Sequence, residues 1–203
     1  MPIFILKKVG RFIITAAIML AAFDTGGCRT HTPQPAKPLR IATFNVSLIR
    51  PQAGQLFDDF RQGSSQAQAV AQIIQIVRPD ILLLNEFDHD RKALEYFLGH
   101  YLAVGQNGRE PIIYPYYYTD TVNTGIDSGF DLDNDGRFNG PGDALGYGQF
   151  PGQYGMVLLS MYPVRHADIR TFQHFLWKDM PGALLPDDSS TPVPEDWYGK
   201  AEL

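Results

Sequence analysis

A short apolar run that ends in a carboxylate is the feature of this sequence that most constrains its fold. Residues 81–84 (ILLL) lead directly into Asn85 and Glu86. A continuous apolar run of this length is typical of a strand that is buried on both faces of a sheet. A carboxylate directly after such a strand lies at the rim of the sheet, where α/β proteins usually place their sites. On its own, however, Glu86 fits a solvated loop equally well.

The segments before this strand predict a second strand and a helix. Residues 39–46 (LRIATFNV) are rich in strand-forming residues. Apolar residues at helical spacing predict a helix over 66–77, which Ser64 or Ser65 can cap. Pro79 prevents this helix from continuing into the apolar run.

The segments after the apolar run extend the alternation of strand and helix. Asp90 predicts the start of a helix over 91–98, which Gly99 is expected to close. The order of strand, helix, strand and helix favours an α/β layered core. Further strands are expected over 114–119, 155–160 and 164–172, the last of them with one exposed face.

The first 28 residues have the composition of a signal peptide. Basic residues precede an uncharged apolar run at 12–23 (FIITAAIMLAAF), which is too short to span a membrane comfortably. Cys28 follows two glycines, as in a bacterial lipoprotein cleavage site, although Thr25 stands where such sites usually carry Leu. A lipid on Cys28 would anchor an exported protein in the periplasm or at the surface of a bacterium. Ordinary signal cleavage near this position stays open as the alternative.

The remaining chain divides into a tether and one domain. Residues 29–38 (RTHTPQPAKP) are polar and proline-rich and predict an extended tether, so the domain is expected over 39–203. Cys28 is the only cysteine, which excludes an internal disulfide, a thiolate-bound zinc and a thiol nucleophile in that domain. The net charge of −5 disfavours a broad nucleic-acid-binding surface, although a local basic groove stays open.

Three blocks of the sequence are more specific together than Glu86 is alone. They are LRIATFNV (39–46), VRPDILLLNEFD (77–88) and GMVLLSMYPV (155–164). This arrangement resembles the endonuclease/exonuclease/phosphatase superfamily, whose DNase I-like members hydrolyse phosphoesters, and the resemblance spans roughly residues 39 to 172. It implies the N-terminal half of a four-layer α/β sandwich in which helices flank mixed sheets.

The resemblance also implies roles for two residues. Asn45 would lie in the active site, and Glu86 would ligate a catalytic magnesium or manganese ion. Carboxylate oxygen is a ligand that magnesium prefers. The metal would activate water for attack on a phosphodiester or phosphomonoester.

The family's second group of catalytic residues has no counterpart in this sequence. Members carry a catalytic His, an Asp-x-Asn pair and a final Asp-His pair, whereas the residues after 172 include only His174. We therefore expect a domain truncated at its C-terminus, with half of the active site missing and no activity by itself. A divergent, shortened domain is the alternative. His166 and Asp168 fit exposed strand positions better than they fit replacement catalytic groups.

A second acidic motif resembles the start of a calcium loop. Asp131, Asp133 and Asp135 supply oxygens at positions one, three and five, and Gly136 permits the sharp turn that follows. Position twelve is Gly142 rather than Glu, and no helical pattern flanks the segment, so an EF-hand is not predicted. A calcium-stabilised loop and an acidic turn without an ion both stay open.

The sequence thus predicts an exported, metal-dependent phosphoesterase-like domain. The alternative is a calcium-stabilised lipoprotein domain that keeps the fold without catalysis. The expected partners are a phosphoester substrate of unknown type and a membrane reached through the lipid anchor, and no protein partner is implied. The long loop at 123–155, between strand candidates, is expected to form a shaped rim over the site.

Overall fold

A single mixed β-sheet organises residues 38–184, the part of the chain that this computed structural model describes. Its strands are β1 (Ile41–Leu48), β2 (Ile81–Phe87), β3 (Tyr116–Tyr118) and β4 (Met156–Ser160). The strand order is β1-β2-β4-β3. β1 and β2 are parallel, whereas β4 runs antiparallel to both β2 and β3. The edge where β1 and β2 end is therefore also the edge where β4 begins.

Within residues 38–184, three α-helices accompany the sheet. They are α1 (Gln55–Gln62), α2 (Ser65–Val77) and α3 (Arg91–Phe97), and a π-helical turn (Leu98–Leu102) follows α3. α1 and α2 form the crossover between the two parallel strands, as parallel pairing requires. No helix within residues 38–184 has the length and apolar character needed to cross a bilayer.

The boundaries of α2 follow the signals in the sequence. The Ser64 hydroxyl oxygen accepts a hydrogen bond from the Ala67 N–H group at 3.2 Å, which confirms the predicted N-cap. Arg78 ends the helix in the left-handed region, with φ of 49°, directly before Pro79. α1 is not predicted by the sequence, although two of its residues, Leu56 and Phe60, are buried in the core.

The expected end of α3 at Gly99 is wrong. Asp90 caps the helix as predicted, because its Oδ1 accepts the N–H groups of Lys92 and Ala93 at 2.8 and 3.1 Å. The chain then continues through Gly99 as the π-helical turn. This turn buries Tyr101, whose hydroxyl donates to the Phe60 carbonyl oxygen at 2.7 Å. Tertiary packing therefore overrides the local stop signal.

The apolar run in β2 is buried on one face only, which corrects the expectation that both faces are covered. Leu82 and Leu84 are at most 2% exposed, whereas Ile81 and Leu83 are half-buried. The buried face joins one core cluster with side chains from all three helices. The prediction of an α/β fold, with a mixed sheet flanked by helices, is confirmed.

The opposite face of the sheet is only partly covered by described residues. Ile41 and Met156 on this face are 67% and 48% exposed. A cleft of about 390 Å³ lies between this face and the segment 171–173. The Asn123 side chain secures that segment by donating to the Gln173 carbonyl oxygen at 3.1 Å.

The predicted strand over 164–172 is wrong. The structure has a 3-10 turn (His166–Asp168) there, and the Arg165 guanidinium pairs with the Asp168 carboxylate at 2.6 Å across three residues. Alternating polarity arose here from a turn on the surface rather than from a sheet. His166 and Asp168 are exposed as expected, but they lie in this turn rather than in a strand.

Candidate active site

Asn45 and Glu86 meet at the edge of the sheet where the two parallel strands end. In the β1–β2 ladder, Asn45 pairs with Asn85, and Glu86 follows directly. The Asn45 side chain is exposed and that of Glu86 is half-buried. The structure therefore brings the two predicted residues together from positions about forty residues apart in the sequence.

Both strands leave regular geometry at this point. The register between β1 and β2 shifts between Asn45 and Leu48, as in a β-bulge. Ser47 and Glu86 lie in the left-handed region, with φ of 48° and 56°. Such conformations cost non-glycine residues about 1–3 kcal/mol each and concentrate at functional sites.

Ser47 connects the two predicted site residues. Its backbone N–H group donates to the Asn45 Oδ1 at 3.1 Å, and its hydroxyl lies 3.1 Å from the Glu86 Oε2, to which it donates. The Ser47 carbonyl oxygen accepts a hydrogen bond from the Gln66 side chain at 2.8 Å, which fixes the bulge against α2. Sequence reasoning did not identify Ser47, because only the bulge turns it toward Glu86.

The resulting arrangement offers oxygen ligands at an accessible edge. Ser47 occupies one carboxylate oxygen of Glu86, and the described residues supply no hydrogen-bond donor to the other, Oε1. Because the Asn45 Oδ1 accepts the Ser47 N–H group, its amide NH₂ is directed elsewhere as a donor. A carboxylate and an amide in this arrangement fit a hard divalent cation, which prefers oxygen ligands. The roles of Asn45 and Glu86 nevertheless stay predictions.

A buried carboxylate lies two residues beyond Glu86. Asp88 is 3% exposed, and its oxygens accept the backbone N–H groups of Arg50 at 2.8 Å and Tyr154 at 3.3 Å. Burial raises the pKa of the Asp88 carboxyl, and these two N–H groups act in the opposite direction. Sequence reasoning did not single out Asp88, because both partners of its carboxylate are distant along the chain.

The acidic loop forms a group that differs from the predicted one. Carboxylate oxygens of Asp131, Asp133 and Asp143 lie within 4.8 Å of one another, a spacing that could hold a metal ion. Asp135 is exposed and does not belong to this group; its Oδ1 accepts the Arg137 N–H group at 2.8 Å. Calcium binding by Asp131, Asp133 and Asp135 stays a prediction. In the structure, the candidate ligand that joins Asp131 and Asp133 is Asp143 rather than Asp135.

Asp143 is more deeply buried than the other two carboxylates. It is 1% exposed, and it accepts the N–H groups of Gly140 at 2.9 Å and Leu132 at 2.8 Å. The Gly140 N–H group, followed by that of Leu132, lowers the pKa of Asp143 below its usual range. A Cβ atom at Gly142 would lie 2.2 Å from the Asp133 Oδ2, so a larger residue there would displace the Asp133 side chain.

The structure is that of a mixed α/β protein in which the candidate site at Asn45 and Glu86 lies at the carboxyl edge of the parallel strands. Over residues 42–200, the sequence matches the Endonuclease/Exonuclease/phosphatase family. The chain therefore belongs to this family and carries a phosphoesterase-type hydrolase domain. The fold is consistent with the DNase I-like sandwich that the sequence resemblance implied. No curated protein and no solved structure is detectably similar to the chain.

Members of this family typically depend on a divalent metal, and the described residues include an acidic group suited to one. This group is the one in the loop, at Asp131, Asp133 and Asp143. Its residues are far along the chain from Asn45 and Glu86, and they make none of the hydrogen bonds that connect those two residues. The chain thus presents two candidate metal sites that require separate tests.

Proposed function

We propose that this chain supplies the metal-binding half of a phosphoesterase site, with Glu86 as a magnesium or manganese ligand and Asn45 beside it. The observation that carries the proposal is the pair of hydrogen bonds through which Ser47 holds both side chains at one strand edge. The substrate class is a phosphodiester or phosphomonoester. The family membership supports this class of reaction.

The donor set supports a divalent cation at this edge. Glu86 contributes a negative charge, and a phosphate group next to it would be repelled unless a cation lay between them. When bound, the metal would supply an activated water and neutralise charge on the phosphoryl group. The chain's own residues would orient the reactants: Ser47 fixes the rotamer of Glu86, and the amide NH₂ of Asn45 can donate to a phosphoryl oxygen.

The function is tested by phosphorus NMR of dimethyl phosphate with the 203-residue chain and Mn²⁺. We expect the phosphorus signal to broaden more with the wild-type chain than with Glu86→Gln at the same Mn²⁺ concentration, because the diester binds beside the metal at the Glu86 site. Glu110→Gln, which changes an exposed carboxylate elsewhere, should behave like wild type. Equal broadening with all three proteins would contradict the proposal.

A turnover measurement on the same samples tests the sequence expectation of inactivity. We expect no hydrolysis of bis(p-nitrophenyl) phosphate above the level of Glu86→Gln. The physical reason is that residues 173–203 contain neither the Asp-x-Asn nor the Asp-His pair that the family uses. Robust Mg²⁺-dependent turnover would contradict this expectation and would show that the 203-residue chain provides its own proton acceptor.

A second candidate function is a calcium-stabilised domain without catalysis. The observation that favours it is the carboxylate group at Asp131, Asp133 and Asp143. Weak calcium sites are common in extracellular modules. A site of this kind would stabilise the loop by holding three carboxylates that otherwise repel one another.

Calcium binding is expected to raise the melting temperature by about 3 °C at about 1 mM calcium, if the dissociation constant is about 0.1 mM. Asp143→Asn should abolish this rise, because Asp143 is the buried member of the group. Asp135→Asn should retain it, since Asp135 lies outside the group. The measurement is a thermal melt by circular dichroism, and a rise lost in Asp135→Asn but kept in Asp143→Asn would support the sequence motif instead.

We further propose that the protein is exported and tethered to a bacterial membrane through a lipid on Cys28. Cys28 lies outside the described residues, so the proposal rests on the sequence pattern over 1–28. Fractionation of a bacterial host should place the wild-type chain in the membrane pellet and Cys28→Ser in the soluble fraction. Retention of Cys28→Ser in the pellet would contradict the anchor.

A further inference from the structure

We infer that Asp88 is a positioning residue for the metal site proposed at Asn45 and Glu86, and this inference rests on that proposed function. Asp88 follows Glu86 by two residues at the end of β2. Its carboxylate joins the two chain segments that flank the Glu86 edge. One is the end of β1 with the residues that follow it, and the other is the end of the long loop before β4.

The contacts of Asp88 are to the backbone on both sides. Its Oδ2 accepts the Arg50 N–H group at 2.8 Å, and its Oδ1 accepts the Tyr154 N–H group at 3.3 Å. The side chain is 3% exposed, and a carboxylate buried to this extent is costly unless both oxygens are hydrogen-bonded. These bonds therefore fix both partner segments relative to β2.

Neighbouring backbone bonds reinforce the same junction. The Asp88 N–H group donates to the Leu48 carbonyl oxygen at 3.0 Å, and the Phe87 N–H group donates to that of Gly155 at 3.0 Å. Gly155 approaches so closely that a Cβ atom there would lie 2.8 Å from the Phe87 carbonyl oxygen. The three segments are thus in direct contact around Asp88.

Each of the three segments holds a non-glycine residue in the left-handed region. These residues are Ser47, Glu86 and Tyr154, with φ of 48°, 56° and 57°. Backbone of this kind persists only where its surroundings hold it in place. Asp88 bonds directly to one of these residues, Tyr154, lies two residues from Glu86, and reaches the Ser47 segment through Arg50. If the Asp88 carboxylate is removed, we expect the bulge between Asn45 and Leu48 to relax and Glu86 to move away from Asn45.

A buried polar residue elsewhere offers a matched comparison. Gln75 is also 3% exposed, and it also bonds backbone groups. Its side chain donates to the Leu102 carbonyl oxygen at 3.1 Å and accepts the Gln106 N–H group at 2.9 Å. It joins α2 to the chain after the π-helical turn and contacts none of the segments around Glu86. Loss of Gln75 should therefore lower stability without changing the metal site.

The test compares Mn²⁺ binding to the 203-residue chain by isothermal titration, together with melting temperatures. The chain has two candidate metal sites, so the Mn²⁺ binding at the Glu86 site is taken as the difference between the wild-type chain and Glu86→Gln. The binding that remains in Glu86→Gln is assigned to the acidic loop. Asp88→Asn keeps the volume of the side chain but points an NH₂ group at one of the two N–H donors. We expect this variant to bind Mn²⁺ at the Glu86 site about tenfold more weakly or worse. Gln75→Ala should melt at a lower temperature and bind Mn²⁺ as wild type does.

The possible outcomes separate the inference from the function on which it rests. If Glu86→Gln removes no Mn²⁺ binding, the proposed function fails, whatever Asp88 does. If Glu86→Gln removes binding but Asp88→Asn retains wild-type affinity, or loses no more than Gln75→Ala, the positioning role is overturned. If Asp88→Asn does not fold, Asp88→Ser, which keeps one acceptor, takes its place. Failure of both variants to fold would also overturn the role, because it would make Asp88 a requirement of the fold.

Discussion

Replacing Glu86 by Gln is expected to weaken Mn²⁺ binding at the edge of the sheet by about a hundredfold or more. The substitution preserves size and hydrogen bonding but removes one unit of charge. A unit charge about 4 Å from another contributes about 4 kcal/mol near a protein surface. A hundredfold loss of affinity corresponds to only about 2.7 kcal/mol, so the charge alone suffices. The measurement is isothermal titration with Mn²⁺.

Two control variants make this result specific. Glu110→Gln removes an exposed carboxylate outside the site and should leave affinity unchanged. Ser47→Ala removes the hydroxyl that bonds the Glu86 Oε2 but keeps the charge, and we expect a smaller loss than for Glu86→Gln. Wild-type affinity in Glu86→Gln would show that the metal, if it binds, binds elsewhere.

Replacing Phe60 by Ala is expected to lower the free energy of unfolding by about 3–5 kcal/mol. Phe60 is 1% exposed, and its ring centroid lies 6.2, 5.8 and 5.4 Å from those of Phe87, Phe97 and Tyr101. The substitution leaves a cavity where α1, β2, α3 and the π-helical turn meet. Since domains of this kind are stable by about 5–15 kcal/mol in total, this loss removes a large part of the stability of the fold.

Urea denaturation followed by circular dichroism measures this loss. Phe138→Ala is the matched control, because Phe138 is 63% exposed and should change stability by less than about 0.5 kcal/mol. A loss below about 1 kcal/mol in Phe60→Ala would contradict the packing of this core. Equal losses in both variants would contradict it as well.

The strands and helices with strong local signals were predictable from the sequence. Ser64 and Asp90 both cap helices as expected, and the apolar run at 81–84 does form β2. α1 was missed because it has only eight residues and begins after Gly54 in the left-handed region, without a side-chain cap. The prediction of a strand over 164–172 is wrong because the chain forms a 3-10 turn there, in which the Asp168 N–H group donates to the Arg165 carbonyl oxygen at 2.9 Å.

The candidate site was predictable only in part, because several of its contacts join residues that are far apart in the sequence. Asn45 and Glu86 could be found, because the motifs around them are contiguous and resemble a family. Ser47 and Asp88 could not, because each acquires its role through a partner 39 or 38 residues away. Asp143 was not predicted as a candidate ligand because the sequence motif counts fixed positions, whereas the folded loop brings Asp143 to Asp131 and Asp133.

The central claim is that a divalent metal binds beside Asn45 and Glu86. The most direct measurement is paramagnetic broadening of backbone amide signals by substoichiometric Mn²⁺ in the 203-residue chain. We predict that the signals of residues 45–48 and 85–88 broaden, separately from any effect over 131–143, and that Glu86→Gln removes the first effect alone. Sharp signals at 45–48 and 85–88, with broadening confined to 131–143, would contradict the account.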